Sequence, residues 1–514
     1  MSRAEAQSRA EYDYIVIGGG SAGCALAARL AGAGDRPEVA LIEAGPEGRG
    51  VSQITEPALW RSLAGTSLDW GYSYAPSPHT GNRAIGLPRG KVLGGCGAIN
   101  ALNWYRGHPA DYDAWEEAGA QGWNHDALLP YFRRAEDWEG GETERRGAGG
   151  PMRLTQPPDP HPAAAGLLNA AAELGFKRID DLNDSDDEGA ALANLTVRDG
   201  RRHSVVDGYL AGAPASLTVL TCSTAVRLGF DGDRCEEVLH TRGGTLARTR
   251  ARREVICALG AIGTPLLLLR SGIGDPADLA RLGVPVRAAL PGVGRNLRDH
   301  PQVAGPHFRA RRRLGLRRDN GGGAVMRWRS EGADRPDLHA SVIQGVTAGP
   351  EASARYGIGS AGDVFAIAPA LLAPKSAGYM RVHPDGVEIQ PNLLAEPDDA
   401  ATLVQALDMV LDLAGTSAYR ELIEAPVMPP GRLRRTEAEA FVRENCSSLS
   451  HPCGTAAMGT APEDGAVTDP ELRVFGTEGL RVADASVIPV IPRCGLQAPV
   501  IAVAERAADL ITKI

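Results

Sequence analysis

An α/β fold containing a Rossmann-like nucleotide-binding unit is predicted by three observations: a β-branched run at Tyr12–Ile17, a Gly-x-Gly-x-x-Gly turn at Gly18–Gly23, and an apolar stretch closing on an acid at Glu43. Tyr12–Ile17 (YDYIVI) reads as a buried strand that stops at Gly18. Gly20, with Ser21 and Ala22, brings backbone amides to a pyrophosphate at a helix N-terminus, and Gly23 lets that helix approach the strand. Cys24–Leu30 (CALAARL) has the composition of that helix, and Val39–Ile42 reads as the second strand. Glu43, twenty residues past Gly23, can accept hydrogen bonds from both ribose hydroxyls of an adenosine and would repel a 2′-phosphate. Ala44 follows it. Both NAD and FAD fit this unit.

Length and composition set the wider frame. The 514 residues, 43% hydrophobic and 23% charged, are enough for two to four folding units and exclude wholesale disorder. A net charge of -9 leaves no electrostatic footprint for nucleic acid or anionic membranes. The longest apolar run, Val255–Leu269, contains Gly and Pro and falls short of the roughly 18 residues needed for a bilayer span. Residues 1–11 carry charges of both signs and no apolar core, so no secretory signal is read there and a cytoplasmic location is expected. The eight cysteines include no Cys-x-x-Cys pair, so neither a metal site nor a disulfide framework is expected. The six arginines within Arg309–Arg318 read as a solvated basic edge or, alternatively, as a patch for an anionic substrate.

A second glycine cluster, Gly90-Lys91-Val92-Leu93-Gly94-Gly95, leads to Asn100 and Ala101. Gly94 and Gly95 present backbone that can lie against a flat ring system, and Asn100 can fix its geometry through hydrogen bonds. Further along come Gly260-Ala261-Ile262-Gly263-Thr264-Pro265, Ser271-Gly272-Ile273-Gly274, Gly292-Val293-Gly294-Arg295-Asn296-Leu297, Asp299-His300, His451-Pro452-Cys453-Gly454-Thr455 and Asp484-Ala485-Ser486. In this order and over nearly the whole chain, the set resembles the glucose-methanol-choline (GMC) flavoprotein oxidoreductases.

The resemblance implies FAD as cofactor, with Gly90, Val92, Gly94, Gly95, Asn100 and Ala101 along the flavin and its pyrophosphate. Some relatives carry a histidine before the asparagine that bonds covalently to the flavin; Ile99 stands here, so FAD is expected to bind noncovalently. A backbone group near Val226 is implied to hold the adenine, and Asp484 with Ala485 the ribityl and pyrophosphate. Leu217–Leu220 and Ala225–Val226 read as a strand pair, Arg481–Asp484 as a short strand ending in an acid. Gly260 opens a further cofactor-binding motif. Ala498 and Pro499 begin the last helix, whose N-terminus is expected to stabilise negative charge at flavin N1 and the C2 carbonyl.

The implied chemistry is oxidation of an alcohol to a carbonyl by hydride transfer to flavin N5. Hydride leaves readily only if the hydroxyl proton leaves with it, and an imidazole titrating near neutrality is suited to accept that proton. The histidine-proline-x-glycine-threonine motif marks His451 as base. Relatives place a second histidine or an asparagine beside it; matching Ile491–Pro499 to that pattern puts Gln497 there, as anchor of the substrate oxygen. His300 reads as a structural, hydrogen-bonding histidine outside the mechanism, and Asp334, Asp337 and His339 have no decisive spacing.

Separated cofactor motifs imply a discontinuous FAD-binding domain, 1–150, 196–304 and 436–514, and an α+β substrate-binding domain of 151–195 and 305–435 built on an antiparallel sheet; the alternation Gly378–Val382 fits such a sheet. The partners expected are a small-molecule alcohol, from aryl or furan alcohols to polyols and amino-sugar hydroxyls, and oxygen or another electron acceptor. No residue pattern encodes the acceptor or the oligomeric state. The alternatives are a lyase or photodecarboxylase on the same fold, or a redox-inactive flavin-binding interaction protein.

Overall fold

The computed structural model describes residues 10–360, 362–383 and 386–513. Two sheets organise it. The first has seven strands and is mainly parallel at its centre, where Ala10–Ile17 lies between Val39–Ile42 and Thr245–Cys257. Leu217–Leu220 continues it in parallel beyond Val39–Ile42, and Leu480–Val482 adds in parallel to the C-terminal end of Thr245–Cys257. Val, Ile and Leu fill these strands because the parallel centre of the sheet is buried, with helix Ser21–Ala31 packed against it. Ile15, Val16, Ile17, Val39 and Leu41 are accordingly inaccessible to solvent. The predicted α/β, Rossmann-like unit is present.

The long strand Thr245–Cys257 serves two structures. Its first half closes an antiparallel meander with Ser223–Asp231 and Arg234–Arg242, and its second half enters the parallel sheet. Leu217–Leu220 and the strand holding Ala225 therefore do not pair with each other, contrary to the expectation from sequence. The chain turns between them at Cys222, a left-handed residue with φ 52°, and the second strand goes to the meander.

The second sheet has nine strands, nearly all antiparallel, in the order Ile423–Met428, His307–Ala310, Val364–Leu371, Leu338–Ile343, Ala324–Trp328, Gly189–Leu192, Lys177–Arg178, with Pro301–Val303 and Cys446–Ser448 at one end. Helix Pro397–Gly415 packs on its back through Leu403, Leu407 and Val410, all buried. The expected antiparallel sheet is thus real, but Tyr379–His383 is not part of it: that strand forms a separate two-stranded hairpin with Gly386–Gln390. Pro301–Val303 and Cys446–Ser448, inside segments expected of the cofactor domain, bond to each other and reach the nine-stranded sheet through Gln302 and Ala370. They bring His300 and His451, each just beyond one of these strands, to the seam between the two sheets. Among the described residues no helix is long and apolar enough to cross a membrane.

Candidate active site

A cavity of about 570 Å³ lies at that seam, between the carboxyl ends of the parallel strands and the face of the nine-stranded sheet. Its nucleotide end is made by two glycine loops in backbone contact. Gly94 N–H donates to Gly19 O at 2.7 Å, and a Cβ on Gly95 would stand 2.7 Å from Gly20 Cα, so side chains are excluded where the loops cross. A Cβ on Gly23 would fall 1.8 Å from Gly18 O. Gly23→Ala must therefore open the turn, and the expected result is loss of most bound flavin, read as the ratio of flavin to protein absorbance after purification.

Gly20 caps helix Ser21–Ala31 with no side-chain hydrogen bond, leaving first-turn amides to the cavity. Glu43 is buried; its carboxylate accepts from Gly19 N at 2.8 Å and Gly45 N at 2.7 Å. Burial raises its pKa above the usual carboxylate range, partly offset by those amides. Asp484 joins the ends of two strands, accepting from Gly260 N at 2.9 Å, Thr264 Oγ1 at 2.6 Å and Ser486 N at 2.7 Å.

Of the residues singled out from sequence, Gly18, Gly20, Ser21, Ala22, Glu43 and Ala44 line the cavity, as do Gly90, Gly95, Asn100, Ala101 and Gly260. Asp484, Ala485, His451 and Gln497 do so too. Gly23, Val92, Gly94, Ala498 and Pro499 stand behind this wall as packing. Val226 does not line it either: it sits at a register shift between Ala225 and Arg227, and Ser223, Thr224 and Ala225 face the cavity instead.

Asn100 is oriented by Arg202, which sequence reasoning missed. The Arg202 guanidinium donates to Asn100 Oδ1 at 2.8 Å, Asn100 O at 2.7 Å, Gly97 O at 3.1 Å and Ile54 O at 2.8 Å. Burial, opposed by Asp207 nearby, pushes its pKa down to about 9.

His451 is held from three sides. Its backbone N–H donates to Asp299 Oδ1 at 2.7 Å, Ser450 before it is left-handed with φ 63°, and Arg89 Nη2 fixes Ser450 O at 2.6 Å. Nδ1 of His451 lies 2.9 Å from Nδ1 of His300, with the two rings nearly perpendicular. Asp299 is buried and also accepts from His300 N, the Tyr74 hydroxyl and the Ser448 hydroxyl. The Asp299-His300 dipeptide was visible in the sequence; that it braces His451 was not, because the partners are 151 residues apart. Burial, then His300 and Arg89, hold the His451 pKa well below the usual 6.5.

Gln497 makes no hydrogen bond to this imidazole among the described residues. Its Oε1 accepts from Ser21 Oγ at 2.9 Å and from Asn100 Nδ2 at 3.4 Å, because it opens helix Gln497–Thr512 on the side of the glycine loops. The residue that flanks the base is Gly495, where a Cβ would stand 3.4 Å from His451 Nε2. Across the cavity, paired residues Gln302, Ala370, His339 and Arg327 form one row of the nine-stranded sheet. His339 lines the cavity from this row, its Nε2 2.5 Å from Ser341 Oγ, and burial pushes its pKa down to about 4. Cys453 and Cys494 are buried with raised pKa values, as inert packing thiols are.

Comparison with known proteins matches this chain to the models for GMC oxidoreductases over residues 12–302 and 374–504. The oxygen-dependent choline dehydrogenase of Sinorhizobium medicae (strain WSM419) is 34% identical, the match covering 97% of this chain and 95% of that protein. Among solved structures, pyridoxine 4-oxidase from Mesorbium loti superposes with a TM-score of 0.91 at 30% identity, over 97% of this chain and 98% of that one. Formate oxidase from Aspergillus oryzae RIB40 gives 0.89 at 26% identity, over 98% of both chains.

Proposed function

This chain belongs to the GMC oxidoreductases, FAD-dependent enzymes that oxidise alcohols, and from that premise we propose that His451 is its general base. The observation that carries this reading is the imidazole at the cavity wall, locked through Asp299 and His300 and lowered in pKa so that it stays neutral.

The cleft fits FAD: two loops crossing backbone to backbone at glycines, a helix N-terminus without a side-chain cap and buried acids at two strand ends leave a cradle of the right donors and acceptors. FAD, when bound, accepts the hydride. The chain's own residues do the rest. Ser21, Ala22 and the Gly20 turn would hold the pyrophosphate, Glu43 the ribose, and Asn100 with Gln497 the ring. Ile99 offers no nucleophile at the cavity wall, which supports noncovalent binding. For Nε2 of His451 to take the hydroxyl proton, its Nδ1 must donate to His300 Nδ1. That places the proton of neutral His300 on its Nε2, a buried nitrogen with no hydrogen-bond partner among the described residues. With Gln497 turned away, the imidazole works beside bare backbone at Gly495. The division into cofactor-binding (1–150, 196–304, 436–514) and substrate-binding (151–195, 305–435) parts draws support from the two sheets except at Pro301–Val303 and Cys446–Ser448, which join the nine-stranded sheet and carry the histidines at the join.

Aromatic side chains at Trp60, Trp70, Tyr72 and Tyr105 on the cavity wall support an aryl alcohol over a polyol. Anaerobic mixing of the holoenzyme with a panel of alcohols tests the reading: bleaching of the flavin band is expected, and a colour unchanged across the panel overturns it in favour of a fold relative without net oxidation. The pH dependence follows from the lowered pKa. A base works deprotonated, so kcat/KM should stay level through neutrality and fall only on an acid limb clearly below 6.5. An acid limb at or above that value would assign the proton to another group.

A further inference from the structure

The walls of the cavity carry charge unevenly. Among the described residues two carboxylates line it, Glu43 and Asp484, and both belong to the nucleotide end, where backbone amides occupy them. Elsewhere the described lining residues include no Asp or Glu but five arginines. One of these, Arg493, is neutralised by Asp111 at 2.5 Å. Arg89 and Arg327 donate to carbonyl oxygens, and Arg327 also has Asp181, Asp186 and Asp187 nearby, so of the two Arg89 is the less compensated. Arg270 and Arg61 make no ion pair or hydrogen bond among the described residues.

Arg61 is the informative member. Its guanidinium lies over the Trp60 ring at 5.0 Å, and Trp60 is pinned by its Nε1–H to Asn320 O at 2.9 Å, so the cation is held against a fixed wall. Desolvation and the nearby Arg317 both work against its charge and push its pKa down to about 10. Arg317 belongs to the arginine-rich run read from the sequence and is fixed by donating to Gln344 O at 3.0 Å. A half-buried guanidinium with a like charge beside it and no counter-ion is stabilised by an incoming anion. The same field opposes an ammonium group.

We propose that the substrate of this enzyme is an alcohol carrying an anionic group, such as a carboxylate, which Arg61 receives at the Trp60 wall while the hydroxyl end reaches His451. The inference rests on the alcohol-oxidising reading of the site and names its substrate class. It separates this chain from choline, the cationic alcohol in its bacterial relatives' name.

The test is anaerobic stopped-flow reduction of the holoenzyme by three matched aryl alcohols: benzyl alcohol, 4-(hydroxymethyl)benzoate and 4-(hydroxymethyl)phenyltrimethylammonium. The carboxylate is expected to exceed the neutral alcohol about ten-fold in reduction efficiency, the cation to fall about ten-fold below it, and both gaps to shrink with added salt. In Arg61→Gln the ratio of carboxylate to neutral alcohol should drop to about one. A cation as good as the carboxylate, or a ratio untouched by the substitution, overturns the proposal. Titration with non-reacting benzoate and benzylamine, followed by perturbation of the flavin spectrum, reads charge preference without turnover. If no alcohol bleaches the flavin while benzoate still binds about ten-fold tighter, the oxidation reading fails and the anion site stands; if alcohols bleach it without regard to charge, the anion site fails alone.

Discussion

In His451→Ala, flavin reduction by a good alcohol substrate should slow by about 10² to 10⁴, with FAD still bound at the wild-type ratio. The size of the loss reflects the chemistry, since without a group to take the hydroxyl proton hydride must leave a neutral alcohol. Retention of FAD follows from the architecture, because the residues that would hold the nucleotide, Gly20, Glu43 and Asp484, take their order from strands and backbone amides and none of them bonds to the imidazole. Single-turnover kinetics under anaerobic conditions, beside the visible spectrum of the purified variant, measures both. A rate within a few-fold of wild type would remove His451 from the mechanism. His300→Ala is a useful companion: it deletes the partner of His451 Nδ1 but not the base, so its loss should be smaller than that of His451→Ala.

The parts of this molecule that were legible in its sequence are those made by neighbours along the chain. The strand Ala10–Ile17, the glycine turn and Glu43 are one continuous unit whose periodicity and spacing state their geometry directly. The brace around His451 is of the opposite kind, because Asp299, Tyr74, Ser448 and His300 meet only after three strands have paired. Gln497 shows a subtler limit. Motif matching placed an amide near the base, but which side chain faces it depends on where the last helix begins; beginning it at Gln497 turns that amide to Ser21 and carries Gly495 past the imidazole. A glycine has no side chain to announce such a role. Arg202 was equally silent, since one arginine among 54 basic residues gives no sign of being buried until its carbonyl partners are in place. Val226, singled out from sequence, is displaced from the cavity wall for a reason of register: it falls at a local shift in the strand, and its neighbour Ala225 lines the cavity.

Glu505→Ala should destabilise the fold more than any change at the cavity wall. Glu505 lies in the C-terminal helix with no accessible surface and bonds to two arginines. Arg29, from the helix that follows the glycine turn, donates to it through Nε at 2.9 Å and Nη2 at 2.9 Å; Arg134 donates at 2.6 Å, and the Tyr209 hydroxyl at 2.6 Å. One carboxylate therefore ties the helix beneath the nucleotide turn to the helix whose N-terminus carries Gln497. Its removal leaves Arg29 without an ion-pair partner among the described residues, Arg134 with Asp509 alone, and a buried hydroxyl without an acceptor, so the loss should lie at or below about 3–5 kcal/mol, the cost of breaking a fully buried pair from one side. Glu505→Gln keeps the acceptor oxygen and loses the charge, so an intermediate loss is expected. The two helices also set the distance between Ser21 and Gln497, which makes weaker retention of FAD the second expected consequence. Thermal melting of wild type and both variants, each with and without added FAD, measures the pair of effects. A melting curve unchanged in Glu505→Ala would show that helix packing alone holds these elements together and that the ion cluster contributes nothing.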